Sequence, residues 1–270
     1  MAGQRELKKH LSGIRATGKL ANAMKTVSTA KFSKLSALNS QLTEYSVRCG
    51  ELLRDFGDEA LFGDIRGGEG CLYVMFTGNK GLCGGYNSEL VAYFEELEKE
   101  TPYKLIVCGK KGMELCRAKG IAAEELSVGD VPCYGDAGRL FEKIAAQHPV
   151  YGTVKLVYRE FKNVMLQIPT VAHLLPAAKE GSTEDIIYFP SREEIETPLA
   201  ALCIKARLYG VMVEAATGVQ GATLMTMRNA ADNAEEEALR TETALNRLRQ
   251  KELTADVIES SSGAEGNFYK

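Results

Sequence analysis

The sequence predicts an α/β protein in which two long terminal helices pair as a coiled coil and an α/β domain is inserted between them. All seven prolines lie between Pro102 and Pro198. Because proline interrupts helix interiors, both ends of the chain can form long helices. Between these ends, apolar β-rich segments alternate with helical segments, which is typical of a mainly parallel sheet covered by helices.

Composition excludes several classes of protein. The chain has 270 residues, is 45% hydrophobic and has a formal net charge of −3. Its seven cysteines include no C-x-x-C pair and only three histidines accompany them, so we expect no disulfide scaffold, no metal and no cofactor. No apolar run reaches the roughly 18 residues of a membrane span. The charged start, MAGQRELKKH, predicts that no secretion signal is present.

The N-terminal segment has a heptad pattern that predicts a helix over residues 1–56. One set of residues recurs every seven positions along this segment. The residues of a second set lie three or four positions after those of the first. The first set is Leu7, Ile14, Ala21, Ser28, Leu35, Leu42 and Cys49. At about 1.5 Å per residue, such a helix is about 75–80 Å long, too long to fold into a compact domain of this size.

A matching pattern at the other end predicts a helix over residues 199–262. Its two sets are Leu224, Ala231, Ala238 and Leu245, then Met227, Ala234, Thr241 and Leu248. Both seams are rich in small residues, which allow close approach but bury little area. We interpret them as two helices that pair with each other; the alternative is the core of a helical domain.

The middle segment, residues 70–192, predicts the α/β domain. Strands are expected at 71–77, 104–109, 153–161 and 164–175, and helices at 90–100, 110–120 and 136–147. The last two strands are separated by the short Lys162–Asn163 turn, so we expect an antiparallel hairpin at the sheet edge.

The segment TGNKGLCGGYNSE, residues 77–89, raises the possibility of a phosphate-binding loop. A P-loop requires Lys-Ser or Lys-Thr after its last glycine, but Tyr86 follows Gly85. The dinucleotide fingerprint requires a second glycine where Cys83 stands. We therefore expect the glycines to supply turn geometry before a helix capped by Asn87 or Ser88. No other catalytic motif is present, so we do not expect an enzyme.

Charge is distributed unevenly along the chain. Residues 1–48 contain nine Lys or Arg and two acidic residues. Since only Phe32 and Tyr45 could stack on bases there, an acidic protein surface is a better partner than nucleic acid. The acidic run at Asp232 and residues 235–237 is interpreted as a solvated helix face.

Five segments, in order, resemble the gamma subunit family of the rotary F-type ATP synthase. In GIRATGKLANAMKTVSTAKF (13–32) the matching residues are Thr17, Leu20, Ala23, Met24, Val27 and Lys31. The others are GLCGGYN (81–87), EFKNVMLQIPTVAHLLP (160–176), NAADNA (229–234) and NRLRQKELTADVIES with the following GA (246–264). The family pattern S-E-x-x-x-R-M is replaced here by Gly218, Val219, Thr223 and Leu224.

The resemblance implies a long antiparallel coiled coil of N- and C-terminal helices with an inserted Rossmann-like α/β domain. It implies a non-catalytic central-stalk subunit that couples proton or sodium flow to ATP synthesis or hydrolysis. The implied partners are the alpha and beta subunits of the catalytic hexamer, the epsilon subunit and the membrane ring of c subunits. The implied location is the cytoplasmic face of a bacterial-type cell membrane, as a peripheral protein.

The resemblance also implies contact residues for the hexamer. These are Met24 and Lys25, taken to lie opposite Arg249, Gln250 and Thr254, together with Asp256 and Glu259. The alternative for this patch is an ordinary solvated helix face. For the whole chain, the alternative from the residues alone is a coiled-coil scaffold or nucleic-acid-binding protein with an α/β insert.

Overall fold

The computed structural model describes residues 2–56, 68–148, 150–176, 189 and 191–266. The helices are α1 Ala2–Phe56, α2 Tyr86–Glu96, α3 Lys110–Ala118, α4 Tyr134–Gln147 and α5 Arg192–Gly266. The strands are β1 Cys71–Phe76, β2 Tyr103–Cys108, β3 Glu124–Leu126, β4 Thr153–Phe161 and β5 Gln167–Leu175. The chain divides into two compact units. We call Met1–Val27 with Thr226–Lys270 the paired-helix unit, and Ser28–Met225 the α/β unit.

The sheet of the α/β unit has the strand order β3-β2-β1-β4-β5. The pairings of β1 with β2, of β1 with β4 and of β2 with β3 are parallel. The pairing of β4 with β5 is antiparallel and forms the predicted edge hairpin. The predicted α/β class with a mainly parallel sheet is therefore confirmed.

Both faces of this sheet are covered by apolar side chains. On one face, Tyr73, Met75 and Val107 pack against α2 and α3 through Leu90, Phe94 and other buried residues. On the other face, the buried residues of the sheet pack with α4 and with the part of α5 inside this unit. β1 is completely buried along its length, as expected for a central strand with a continuous apolar sequence.

Within the α/β unit, α1 and α5 run antiparallel to each other. Gly221 lies against Phe32, and Gly210 lies against Ser46. Contacts therefore move backwards along α5 as the chain moves forwards along α1. The predicted seam is reproduced here at Ser28, Leu35 and Cys49, which are all buried.

The paired-helix unit has the same antiparallel arrangement but a thinner interface. Arg15 contacts Glu242 at 3.0 Å, and Ala21 packs in a small cluster with Met227 and Ala231. A Cβ on Gly18 would lie 3.2 Å from Ala234 Cβ, so the helices approach closely there. The small-residue seam expected from the heptads is thus present.

Several boundaries differ from the sequence expectations. α2 begins at Tyr86 after Gly85, and neither Asn87 nor Ser88 caps it. The side chain of Asn87 instead accepts a hydrogen bond from the backbone N–H of Gly78, at 2.8 Å, inside the preceding loop. α5 begins at Arg192 and contains Pro198 as its seventh residue, where the missing proline N–H removes one helical hydrogen bond.

Two further differences concern the strands. β5 begins at Gln167 because the Asn163 Oδ1 atom accepts hydrogen bonds from the backbone N–H groups of Met165 and Leu166, which extends the turn. β3, only three residues long, was not predicted from the sequence. Of the predicted middle domain, residues 149, 177–188 and 190 lie outside the described residues, and the predicted domain boundaries stay predictions.

Candidate functional site

The glycine-rich loop after β1 is closed on itself by hydrogen bonds. Asn87 accepts from Gly78 N–H and donates from Nδ2 to the Lys80 carbonyl at 3.3 Å. Gly84 has φ 59, which confirms the predicted turn role for a glycine, and Leu82 also has a positive φ of 64. The loop is therefore held in one shape by its own side chains.

Doubly wound sheets bind their ligands outside the carboxyl ends of their parallel strands, and one crevice of this kind lies here at the ends of β1 and β2. Here Met212, Ala215 and Ala216 of α5 fill it, together with residues of the flanking loops. The remaining cavity has a volume of about 30 Å³. Ligand sites typically have about 300–1,000 Å³, so this crevice has no room for a nucleotide.

Tyr86 attaches the same loop to α5. Its side chain is buried, and its hydroxyl donates to the Ala215 carbonyl at 3.1 Å. A Cβ on Gly218 would lie 3.1 Å from the Tyr86 ring, so a glycine allows this approach. The Arg159 guanidinium lies over the ring, 5.4 Å from its centre. Burial raises the pKa of the Tyr86 hydroxyl, which keeps it a donor.

Lys80, the one basic residue of the loop, lies against a carboxylate. Its Nζ is 3.3 Å from Asp130 Oδ2, and Lys31 Nζ of α1 is 2.6 Å from the same atom. Burial alone would raise the pKa of the Asp130 carboxyl. The hydrogen bonds from Lys31 and Asn79 and the Lys31 charge outweigh burial and hold this pKa below its usual range. Neither contact was visible from the sequence.

The structure separates the predicted hexamer-contact residues into two groups. Met24 is half-buried and packs with the cluster of Ala21, Met227 and Ala231, and Lys25 beside it is also half-buried. Arg249 is 18 residues further along α5 than Ala231, which is about 27 Å along a helix axis. The expectation that Met24 and Lys25 lie opposite Arg249 is therefore wrong, because the antiparallel register places Glu242 beside Arg15.

The second group lies on the exposed surface of α5. Arg249, Gln250, Thr254 and Asp256 are exposed. The Thr254 hydroxyl donates to the Gln250 carbonyl at 2.8 Å, one turn earlier. The backbone of Glu259 is helical, but its side chain lies outside the described residues. Arg249 and Gln250 present a guanidinium and an amide that can bind carboxylates of another chain.

Two apolar features of the paired-helix unit are not predicted from the sequence. A groove of about 690 Å³ is lined by α1 residues such as Gly13 and Ile14 and by Ala230 and Ala234 of α5. Large apolar side chains are also exposed on this unit, namely Leu20, Val27, Leu239, Leu253, Val257 and Ile258. In the sequence, this surface is indicated by apolar residues that lie outside the two heptad sets.

The described residues contain no group of His, Cys, Asp or Glu side chains arranged to hold a metal ion. Six of the cysteines are buried and Cys133 is exposed. Burial raises the pKa of Cys108 to about 12, which makes this thiol unreactive at neutral pH. Within the same described ranges, no helix is both apolar enough and long enough for a membrane span.

These features define a class of protein: an α/β domain whose ligand crevice is filled by its own chain and which carries two long paired helices. A family profile described as ATP synthase matches residues 3–266. The ATP synthase gamma chain of Pelotomaculum thermopropionicum is 30% identical over 280 residues, covering 98% of this chain and 99% of that one. The gamma chain of Moorella thermoacetica is also 30% identical over 280 residues, with the same coverage.

Solved structures agree with the fold. The chain is similar to one in the rotor of the Euglena gracilis mitochondrial ATP synthase, in rotational state 1. The TM-score is 0.68 at 16% identity, with 93% of this chain and 99% of that chain covered. A chain of the same organism's OSCP/F1/c-ring assembly in rotational state 3 gives a TM-score of 0.72 at 16% identity, with 98% and 94% covered. The present chain belongs to the ATP synthase gamma chain family, which confirms the resemblance seen in the sequence motifs.

Proposed function

We propose that this protein is the central-stalk, or rotor-shaft, subunit of an F-type ATP synthase. The observation that carries the proposal is the paired-helix unit, whose seam of small residues keeps two helices close while large apolar and charged side chains remain on the outside. A pair of this kind fits a narrow space between other subunits. Family membership over residues 3–266 supports the same role.

In this role the protein acts by orientation rather than by its own chemistry. The exposed faces of the paired helices differ: α1 is basic over residues 2–27, while α5 carries the acidic run of residues 235–237. An asymmetric element of this kind contacts each surrounding subunit differently and therefore favours a different conformation in each. Rotation would then change which catalytic subunit holds which conformation.

The partners we propose are the alpha and beta subunits of the catalytic hexamer, the epsilon subunit and the membrane ring of c subunits. The complex would couple proton or sodium flow to ATP synthesis or hydrolysis. We place the protein at the cytoplasmic face of the cell membrane, as a peripheral component. The names of the relatives and of the structural neighbours support an ATP synthase assembly.

We further propose that the chain is non-catalytic when isolated. The filled crevice, with about 30 Å³ of free volume, supports this proposal. The purified, partner-free chain should therefore hydrolyse no ATP. Turnover that disappears on the change Lys80→Met would contradict the proposal and would make the loop a phosphate site.

The contact with the hexamer is proposed to use Arg249, Gln250 and Thr254, with Asp256 and Glu259 further along the helix. Met24 and Lys25 would act at a separate level of α1. Hydrogen bonds to charged groups contribute about 1.5–3 kcal/mol, or about one to two decades in an equilibrium constant. We expect the double variant Arg249→Ala, Gln250→Leu to lower assembly or ATP turnover of the reconstituted complex by about that factor.

The matched control is Asn246→Leu with Arg247→Ala, which makes the same kinds of change at exposed positions one turn earlier. It should assemble and turn over ATP as the wild type does. Equal behaviour of both double variants would show that the patch is an ordinary solvated face. If the wild-type chain instead co-purifies with nucleic acid and with no hexameric ATPase, the scaffold alternative is correct.

A further inference from the structure

Within the α/β unit, α5 and α1 are attached in different ways. α5 contributes a continuous series of buried side chains to the main core, which are Ala200, Cys203, Ile204, Ala206, Leu208, Val211, Met212 and Ala215. α1 contributes the buried residues Cys49 and Leu53, both near its C-terminal end, to that core. The earlier part of α1, from Ser28 onwards, therefore relies more on individual contacts to stay in register with the sheet.

Lys31 makes a specific polar contact in this earlier part of α1. It lies three residues after Ser28, where the α/β unit begins along the helix. Its Nζ lies 2.6 Å from Asp130 Oδ2, and the two side chains are only 30% and 22% exposed. Because both side chains are mostly buried, water and salt screen this ion pair less than they screen an exposed surface pair. The neighbouring Phe32 ring contacts Phe161 of β4, with ring centres 5.9 Å apart.

Asp130 is itself fixed by the sheet. Asn79, in the loop after β1, donates from Nδ2 to Asp130 Oδ1 at 3.3 Å and to the Val128 carbonyl at 2.7 Å. The Oδ1 atom of Asn79 accepts a hydrogen bond from the backbone N–H of Lys110, the first residue of α3. The carboxylate that holds Lys31 is thus connected to the ends of two central strands.

We propose that Asp130 is a positioning residue that clamps α1 to the sheet through Lys31, so that torque applied to the α/β unit is passed to α1. The proposal rests on the rotor function proposed above. Asn79 supports the carboxylate from the glycine-rich loop. This assigns the loop a mechanical role that replaces the phosphate-binding role of similar loops.

The test uses the complete complex reconstituted into lipid vesicles with the full-length chain. Two rates are measured on the same preparation, namely ATP hydrolysis and ATP-driven uptake of the coupling ion. Asp130→Asn and Lys31→Met should leave hydrolysis within the wild-type range but lower the ions taken up per ATP.

Two variants separate positioning from simple stability. Lys31→Arg keeps the cation and should retain wild-type uptake per ATP. Lys80→Met removes the other lysine that contacts the Asp130 carboxylate. Because the Lys80 side chain is 74% exposed, this variant should also take up ions as the wild type does. If Asp130→Asn impairs folding, the test rests on Lys31→Met, because this variant leaves the contacts of Asn79 and Lys80 with Asp130 in place. Slow amide exchange in β1 and β2 establishes that each variant is folded.

Wild-type uptake per ATP in both Asp130→Asn and Lys31→Met would overturn the clamp. So would a proportional loss of hydrolysis and uptake, because that pattern indicates damage to assembly rather than to torque transfer. A wild-type chain that assembles with no hexamer and supports no uptake would instead contradict the rotor function.

Discussion

The paired-helix unit and the α/β unit contain different parts of the same two helices, α1 and α5, stabilised to different extents. In the α/β unit, large side chains such as Leu35 and Ile204 are completely buried. In the paired-helix unit, the buried side chains include small ones such as Ala21 and Ala231, and Leu11 remains 7% exposed. Burial contributes about 25 cal/mol per Å² of apolar surface, so the paired-helix unit gains much less free energy per turn.

The difference indicates what each unit is adapted for. A large core stabilises the α/β unit by itself, whereas the thin seam stabilises the paired helices less; in the rotor role proposed above, surrounding chains would hold them. The paired-helix unit leaves Leu20, Leu239 and Leu253 more than half exposed. The large buried core therefore lies in the α/β unit, whereas both units expose large apolar side chains.

The largest expected effect compares one leucine from each unit. Leu156→Ala in β4, at a completely buried position of the main core, should lower the free energy of unfolding by about 2–5 kcal/mol. Leu11→Ala in the paired-helix unit, at a position that is 7% exposed, should cost less, about 2 kcal/mol, because a thin seam leaves little cavity beyond the lost burial. Urea unfolding of the free chain, with amide exchange to assign each unit, measures both. Equal costs would show that the seam is as well packed as the core.

The next largest effect is expected for one glycine in each unit. Replacing each glycine by alanine should change the stability of the protein in opposite directions. Gly218→Ala should destabilise by about 1–3 kcal/mol, since the added Cβ would lie 3.1 Å from the buried Tyr86 ring. Gly13→Ala in the paired-helix unit meets nothing within 4 Å, and it should stabilise α1 by about 0.5–1 kcal/mol. Thermal unfolding of the two single variants shows whether each one is more or less stable than the wild type. A stabilising Gly218→Ala would show that there is space for a Cβ beside the Tyr86 ring.

A smaller effect concerns pH and the α/β unit alone. Burial raises the pKa of Glu214 and nearby Glu160 raises it further, although Phe161 N–H donates to its carboxyl. Because the folded-state pKa lies above the unfolded one, the stability that Glu214 contributes is complete below the unfolded pKa and is lost as pH rises through the folded one. Glu214→Gln keeps the acceptor for Phe161, so we expect it to stabilise by less than about 1 kcal/mol at pH 7.

The control for Glu214→Gln is the same measurement at pH 4, where the glutamate is largely protonated and the stabilisation should nearly vanish. Urea unfolding of the wild type and the variant at pH 7 and at pH 4 measures the stabilisation at each pH. A variant that is equally stabilising at both would indicate that repulsion and burial of the charge are not the cause.

The smallest effect is expected for Arg15→Ala in the paired-helix unit. Its ion pair with Glu242 is about half exposed at both ends, and such pairs contribute about 0–1 kcal/mol. The free energy of unfolding should change little, and raising the salt concentration should remove what change there is. A loss comparable to that of Leu156→Ala would show that electrostatics, rather than the apolar seam, holds these helices together.

Sequence periodicity was sufficient for the long helices, the main strands and the edge hairpin, because these elements are specified by neighbouring residues. It was insufficient for β3, since Glu124–Leu126 is short and mostly charged. Lys31 and Asp130 are 99 residues apart in the chain, and nothing local links them. The heptads also left the register of the two helices open, so Met24 was wrongly placed opposite Arg249.

The crevice of the sheet in the α/β unit is filled by residues of α5 and not by a separate ligand. A dissociable ligand leaves its site empty for a fraction of the time that depends on its concentration and affinity. Met212 and Ala215 belong to the same chain as the crevice they fill, so their effective concentration is set by covalent connection and not by supply. Occupancy of this site is therefore independent of the metabolic state of the cell, and the sheet and α5 remain joined at any nucleotide level.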